Sequence, residues 1–263
     1  MPGYSDGAPP KIAGIGSSGI MSSLQPTLKA SGASPALVYQ WKASPYSSHS
    51  ALLRLFPDDG GNRAVLDTGC GNGNLAGALA RRGFRVTGID RPGACRPDFP
   101  ASVELLERDL DQGLPRMYQQ FDYVICADIL EHLRRPSDLL DELRGVMRPG
   151  AQLIASLPNS GNIYFRWQVA LGRFPQHDQG LFDRTHLRFY TWHGWQHLFR
   201  DSGFRIRSVD VTSVPFERAF APRASSLLRA SEWFSYRLAR LWKTLFAYQF
   251  VVTAELDDDP ATG

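Results

Sequence analysis

The sequence is nearly without lysine: four residues, at Lys11, Lys29, Lys42 and Lys243, within a combined lysine and arginine count of 29. Positive charge therefore sits on arginine, and the net excess is only +3. So small a surplus does not mark a nucleic-acid-binding surface. Cysteine is scarce as well. Cys70, Cys95 and Cys126 are odd in number and widely spaced, with no CxxC pair. Neither a zinc ribbon nor a disulfide framework is expected, and reduced thiols in a cytoplasmic protein are. Long hydrophobic runs are missing: no stretch nears the roughly 18 apolar residues of a membrane span. The N-terminus lacks the charged start and apolar stretch of a secretory signal. Hydrophobic periodicity is also absent from residues 1–36, which are rich in Gly, Ser, Pro and Ala and read as a flexible tail.

What remains is an ordinary globular composition, with 43% hydrophobic and 21% charged residues among 263. That suffices for one α/β domain with additions. No internal repeat is present. Residues 47–56 read as a helix with Ala51, Leu52, Leu55 and Phe56 turned inward, stopped by Pro57-Asp58-Asp59-Gly60-Gly61. Short apolar runs then alternate with amphipathic stretches. Strands are expected at residues 64–67, 84–90, 103–106, 121–127 and 151–157, with helices at 74–82 and 136–147, the latter closed by Pro149-Gly150. The βαβα rhythm predicts a doubly wound, mainly parallel sheet with helices on both faces. It breaks at residues 160–190, an insertion dense in aromatics, Arg and His. A helix at 192–201 follows, capped by Thr191 and ended at Gly203. Strand 204–211, a helical stretch 217–243 and strand 247–256 complete the domain, taken as residues 37–256, with a tail at 257–263. Residues 160–190 and 217–245 would form a helical and loop cap.

The motif with most chemistry is Val65-Leu66-Asp67-Thr68-Gly69-Cys70-Gly71-Asn72-Gly73-Asn74-Leu75. A strand runs into three alternating glycines and then directly into a helix. Glycine permits positive φ and close approach of a ligand to the backbone. The helix start offers N–H donors and a positive dipole end to a carboxylate or phosphate. Gly71-x-Gly73-x-x-Ala76 also satisfies the dinucleotide fingerprint, and Asp90 ends the second strand where a ribose diol would lie, so a nicotinamide oxidoreductase is a rival. Asp67 separates the two. A carboxylate just before the glycines repels a pyrophosphate and attracts an amino acid's ammonium.

This stretch resembles motif I of class I S-adenosylmethionine-dependent methyltransferases. Val86-Thr87-Gly88-Ile89-Asp90 is similar to their second motif, and residues 121–133 and 143–159 resemble later ones. The likeness spans about residues 47–204. It is closest to the branch of ubiquinone-biosynthesis O-methyltransferases and enzymes of polysaccharide and natural-product clusters. It implies a Rossmann-like, seven-stranded, mostly parallel sheet with the last strand antiparallel, and S-adenosyl-L-methionine as cofactor. It further implies that Gly69, Gly71 and Gly73 shape the methionine-end pocket and that Asp67 reaches the amino group. Asp90 would take the ribose. Asp109 and Leu110 would flank adenine, with Asp111 an adjacent competitor. Ala127 and Asp128 would line the loop's far side, and Tyr46 would close over the methionine end. The activity implied is methyl transfer, to oxygen on a saccharide or natural-product hydroxyl, with no nucleic-acid partner. A non-catalytic partner protein of the same fold is the alternative.

An alcohol acceptor needs a proton removed. Asp128, Glu131 and His132 follow the fourth strand at spacings of three and four, which would place them on one face if a helix has begun. They could serve as base and orienter, hold a divalent cation, or only cap the helix. His186, in Leu181-Phe182-Asp183-Arg184-Thr185-His186-Leu187-Arg188-Phe189-Tyr190, is a second candidate base, with Asp183 or Arg184 orienting it. That run is similar to the LxDRTHLRFFT segment of the cluster-associated branch. Its other reading is an internal network pinning the insertion. His186, His132 and Tyr190 are expected beyond the donor's sulfur, with no resident metal. His193 and His197 lie a helical turn apart without a third ligand. In residues 225–245 the apolar Leu227, Phe234, Leu238, Leu241 and Leu245 recur at helical spacing, with arginines mostly elsewhere. Such a helix would cover the sheet, or lie on a membrane surface.

Overall fold

β1 (Ala64–Thr68) is buried along its whole length, as a strand flanked on every side must be. The chain is described by a computed structural model at residues 44–95, 98–214 and 225–257, without the side chains of residues 225–229. The expected tail at 1–36, all of the expected tail at 257–263 except Asp257, and the cap residues 217–224 lie outside the described residues. β2 (Arg85–Asp90) and β3 (Glu104–Glu107) stand on one side of β1; β4 (Phe121–Ala127), β5 (Met147–Pro158), β7 (Gln249–Leu256) and β6 (Phe204–Val211) stand on the other. The order is β3-β2-β1-β4-β5-β7-β6. The first five strands pair in parallel, and β7 is antiparallel to both neighbours. Chain growth reverses between β1 and β4, so their carboxyl ends flank the crevice where such sheets bind ligands.

Side-chain alternation sorts the core into two layers. Val65, Ile125 and Ile154 meet Leu52 of α1 (Ser48–Arg54) and Leu75 and Leu79 of α2 (Asn74–Arg81). Leu66, Val124 and Leu153 face the other way, onto Leu140 and Leu143 of α3 (Pro136–Val146) and Trp195 and Phe199 of α5 (Trp192–Asp201). Thr191 caps α5 by accepting from the Gly194 amide. Trp195 is fully buried, and its indole N–H donates to the Pro158 carbonyl at 2.9 Å.

One expectation is corrected. Pro149-Gly150 does not close α3. The helix stops at Val146, and β5 starts at Met147 against Phe121, with a bulge carrying residues 148–150 before Gln152 pairs with Tyr123. The insertion contains one helix, α4 (Ile163–Ala170), whose position the sequence did not mark. The apolar stripe that begins on α6 (Ser225–Leu241) is only partly covered, with Leu238 and Leu245 half-buried. Glu232 and Ala239 are buried while Phe234 and Leu241 are exposed. A short α7 (Lys243–Phe246) leads into β7.

Candidate active site

At the end of β1 the chain makes the glycine turn into α2. Gly69, Gly71 and Gly73 have φ of 73°, 53° and 70°. A Cβ on Gly69 would lie 2.8 Å from Ile129 and one on Gly73 2.6 Å from Phe99, whereas one on Gly71 would meet nothing within 4 Å. The three glycines therefore differ in role. Gly69 and Gly73 make room for the protein's own side chains, and Gly71 alone borders open space. The turn's amides are occupied: Gly69 and Cys70 donate to the Ile89 carbonyl at 2.8 and 3.1 Å, and Gly73 to that of Cys70 at 2.9 Å. Gly71 donates to Asp90 Oδ2 at 2.7 Å. A pyrophosphate would need those donors, so the nicotinamide rival loses its footing.

Asp67 is the outlier of the site. It is buried, and neither carboxylate oxygen has a hydrogen-bond partner. Burial, and then the charge of Asp90, push its pKa up to about 7. Buried polar groups are almost always paired, so an orphaned carboxylate under a ligand-binding turn calls for a cation. The ammonium of an amino acid supplies one. Asp90, half-buried, splits its carboxylate between the Gly71 and Arg91 amides, both at 2.7 Å.

The other cofactor candidates divide. Asp109 caps a single 3-10 turn by accepting from the Asp111 amide at 3.1 Å. Asp111 itself is engaged by Arg134, through its amide at 2.8 Å and its guanidinium at 3.8 Å. Leu110 is buried in the core. Ala127 packs against the layer of α1 and α2. Tyr46 stacks on Tyr236, with centroids 4.9 Å apart. The thiols of Cys70 and Cys126 are buried and free. Desolvation raises both, that of Cys126 to about 12, so they are inert.

Across the crevice, Ile129 packs against Gly69 and joins the turn to the loop after β4. There the expected single helical face does not form. Leu130–His132 is one 3-10 turn, and Leu133 is already extended. Asp128 has φ of 52° and faces elsewhere: its Oδ1 accepts from Ser156 Oγ at 2.6 Å and Gln249 Nε2 at 2.7 Å. Glu131 and His132 instead meet His186 from the insertion. Candidate ligand atoms of the three lie within 4.8 Å of one another, a grouping that could also hold a divalent cation.

Within this group Glu131 is buried, its Oε1 3.9 Å from His186 Nε2. The two imidazoles meet edge to face, with centroids 4.7 Å apart. Burial, then His132, depress the His186 pKa to about 4, so this ring is neutral at physiological pH. His132 Nδ1 lies 3.2 Å from the Thr185 carbonyl and 3.1 Å from Thr185 Oγ1, whose own proton goes to Asp183 Oδ1 at 2.6 Å. Both partners of Nδ1 are therefore acceptors. The neutral tautomer that satisfies them carries its hydrogen on Nδ1 and its lone pair on Nε2.

Asp183 holds Thr185, which in turn contacts His132, and its charge also acts on the His186 ring; Arg184 pairs with Asp178. Tyr190 packs on Trp195 at 4.4 Å. Thr185, Ser156 and Gln249 were not foreseen. Each acts across a sequence gap that no local pattern bridges.

Residues 41–209 match the profile of a methyltransferase domain, and the chain belongs to the class I S-adenosylmethionine-dependent methyltransferase family. It is 38% identical over 106 residues to a ubiquinone biosynthesis O-methyltransferase of Pseudomonas entomophila (strain L48), an alignment covering 37% of this chain and 45% of the relative. The chain spans about half the length of the curated relatives it matches. In fold it is similar to an S-adenosylmethionine-dependent methyltransferase from Archaeoglobus fulgidus, with TM-score 0.54 and 20% identity, over 78% of this chain and 91% of the other. It is also similar to magnesium protoporphyrin IX methyltransferase from Synechocystis, solved with bound S-adenosylhomocysteine, with TM-score 0.52 and 19% identity, over 80% of each chain.

Proposed function

We propose that the chain methylates oxygen, transferring the methyl group of S-adenosylmethionine to a hydroxyl of a saccharide or natural product. The observation that carries the reading is the orphaned, buried Asp67 carboxylate at the glycine turn, with a Glu-His-His group, its glutamate buried and its imidazoles half-buried, after the adjoining strand. When bound, the donor supplies an electrophilic methyl on a positively charged sulfur that is its own leaving group. The protein's tasks are to bind, orient, exclude water and accept a proton. Asp67 holds the ammonium. Asp90 stands where ribose hydroxyls would displace the Gly71 amide from its carboxylate. Asp109 faces the adenine side.

At the acceptor end, His132 Nε2 takes the hydroxyl proton. Thr185 holds the ring through Nδ1, and Asp183 holds Thr185. The neutral His186 ring packs against His132, with the Glu131 carboxylate behind it to offset positive charge as the proton arrives. Support for oxygen as the target comes from this base and from the likeness to the Pseudomonas ubiquinone biosynthesis O-methyltransferase.

The test is turnover. The chain is incubated with methyl-labelled donor and a panel of saccharide, phenolic and polyketide acceptors. Label appearing in a methyl ether, and disappearing with His132→Gln, supports the proposal. Donor binding without methyl-ether formation on any acceptor, or N-methyl products only, counts against it.

A further inference from the structure

Helix α4 is apolar nearly all round, yet Phe165 is its one buried side chain. A helix of that composition is normally enclosed. Here Ile163, Tyr164 and Trp167 stand in solvent, Trp167 at 61% exposure, and the segment after the helix adds Phe174. The same holds for the end of α6, where Leu241 is 84% exposed and Trp242 follows it.

The two segments adjoin. Asn159, just ahead of α4, donates to the Thr244 carbonyl at 3.3 Å and to that of Ala247 at 2.9 Å. Asn162, the α4 cap, also donates to Ala247 at 2.9 Å. The start of α4 is thereby fixed against α7, directly beside Leu241 and Trp242.

Charge on these segments has one sign. Residues 160–174 hold Arg166 and Arg173 and no acid; residues 230–247 hold Arg237, Arg240 and Lys243, and their one acid, Glu232, is buried against Ser44. Exposed tryptophan, tyrosine and aliphatic side chains ringed by arginine suit the headgroup boundary of an anionic bilayer. A second copy of the chain would set cations against cations. Single-stranded nucleic acid would stack on the aromatic rings but gain nothing from Ile163 and Leu241.

We propose that the joined ends of α4 and α6 form a face that docks on anionic lipid bilayers. The proposal is independent of the methyl-transfer reading. The experiment is co-sedimentation of the whole chain with vesicles of phosphatidylcholine alone or with 30% phosphatidylglycerol, at 0.1 and 0.5 M NaCl. Binding to the anionic vesicles only, weakened by salt, is expected. Arg166→Gln with Arg173→Gln should lower partitioning at least tenfold. Trp167→Ser with Trp242→Ser should abolish it. Heat of S-adenosylhomocysteine binding, unchanged in both variants, serves as the check that they are folded.

Wild-type protein remaining in the supernatant would overturn the proposal. So would undiminished binding by the folded variants, or a dimer in analytical ultracentrifugation that the same substitutions dissolve.

Discussion

Replacing Asp67 by Asn should make the protein more stable and less able to bind its donor, and the first effect should grow with pH. The folded-state pKa of Asp67 lies near 7 against an ordinary value of 3.8. A raised pKa means that the folded protein holds the proton more tightly than the unfolded chain does. Between about pH 4 and 7 this group therefore costs the folded state progressively more as pH rises, and above 7 the full cost applies. At about 1.36 kcal/mol per pH unit the cost is on the order of 4 kcal/mol, of which roughly 2–3 kcal/mol develops between pH 5 and pH 8.

Asparagine cannot ionise, so its variant escapes the pH-dependent part. Urea unfolding of both proteins without ligand, followed by tryptophan fluorescence at pH 5 and pH 8, reads the difference. The stability gap should widen by about 2–3 kcal/mol in favour of the variant. At pH 8 affinity for S-adenosylhomocysteine should fall by a hundredfold or more, since an ammonium would lose a buried counter-charge. A gap that does not change with pH, or a variant that keeps its affinity, would refute the assignment.

Other expectations concern neighbouring residues. Gly71→Ala should fold at a cost of about 1 kcal/mol and lose donor binding. Gly73→Ala should destabilise by several kcal/mol through contact with Phe99 and Pro100. Thermal unfolding with and without S-adenosylhomocysteine separates the two. His132→Gln should lower kcat by 10²–10⁴ with donor affinity intact, as single-turnover assays would show. Because His186 titrates near pH 4, a pH–rate limb between pH 5 and 8 belongs to another group. Dialysis against a chelator should leave turnover unchanged. A loss restored by one divalent ion would move Glu131, His132 and His186 from proton transfer to metal binding.

The sheet was legible because its signals are local. The glycine turn, Thr191 as an N-cap and Gly203 as a stop fix β1, α2 and α5 within a residue or two. α4 escaped notice because its apolar residues have no face: periodicity cannot report a helix exposed nearly all round. At the loop after β4, the i, i+3 and i, i+4 spacings presumed a continuous helix. Extended backbone at Leu133, three residues before Pro136, allows only one tight turn, and that sends Asp128 toward Ser156 and Gln249. Glu131, His132 and His186 could be picked as candidates by residue type. Their meeting depends on the insertion folding back over β4, since the Leu187 and Arg188 amides donate to the Glu131 carbonyl at 2.9 and 3.0 Å. What covers the stripe of α6 stayed open in the sequence, because amphipathicity shows that a helix has an apolar side without showing what lies against it.

The most direct measurement is the proton count of binding. Titrating S-adenosylhomocysteine into the protein at pH 6.5, in buffers of different ionisation enthalpy, gives the protons released per site. Ionisation of Asp67 against the incoming ammonium predicts the release of roughly three quarters of a proton in the wild type and none in Asp67→Asn. Equal release from both proteins, or binding with no proton released, would contradict it.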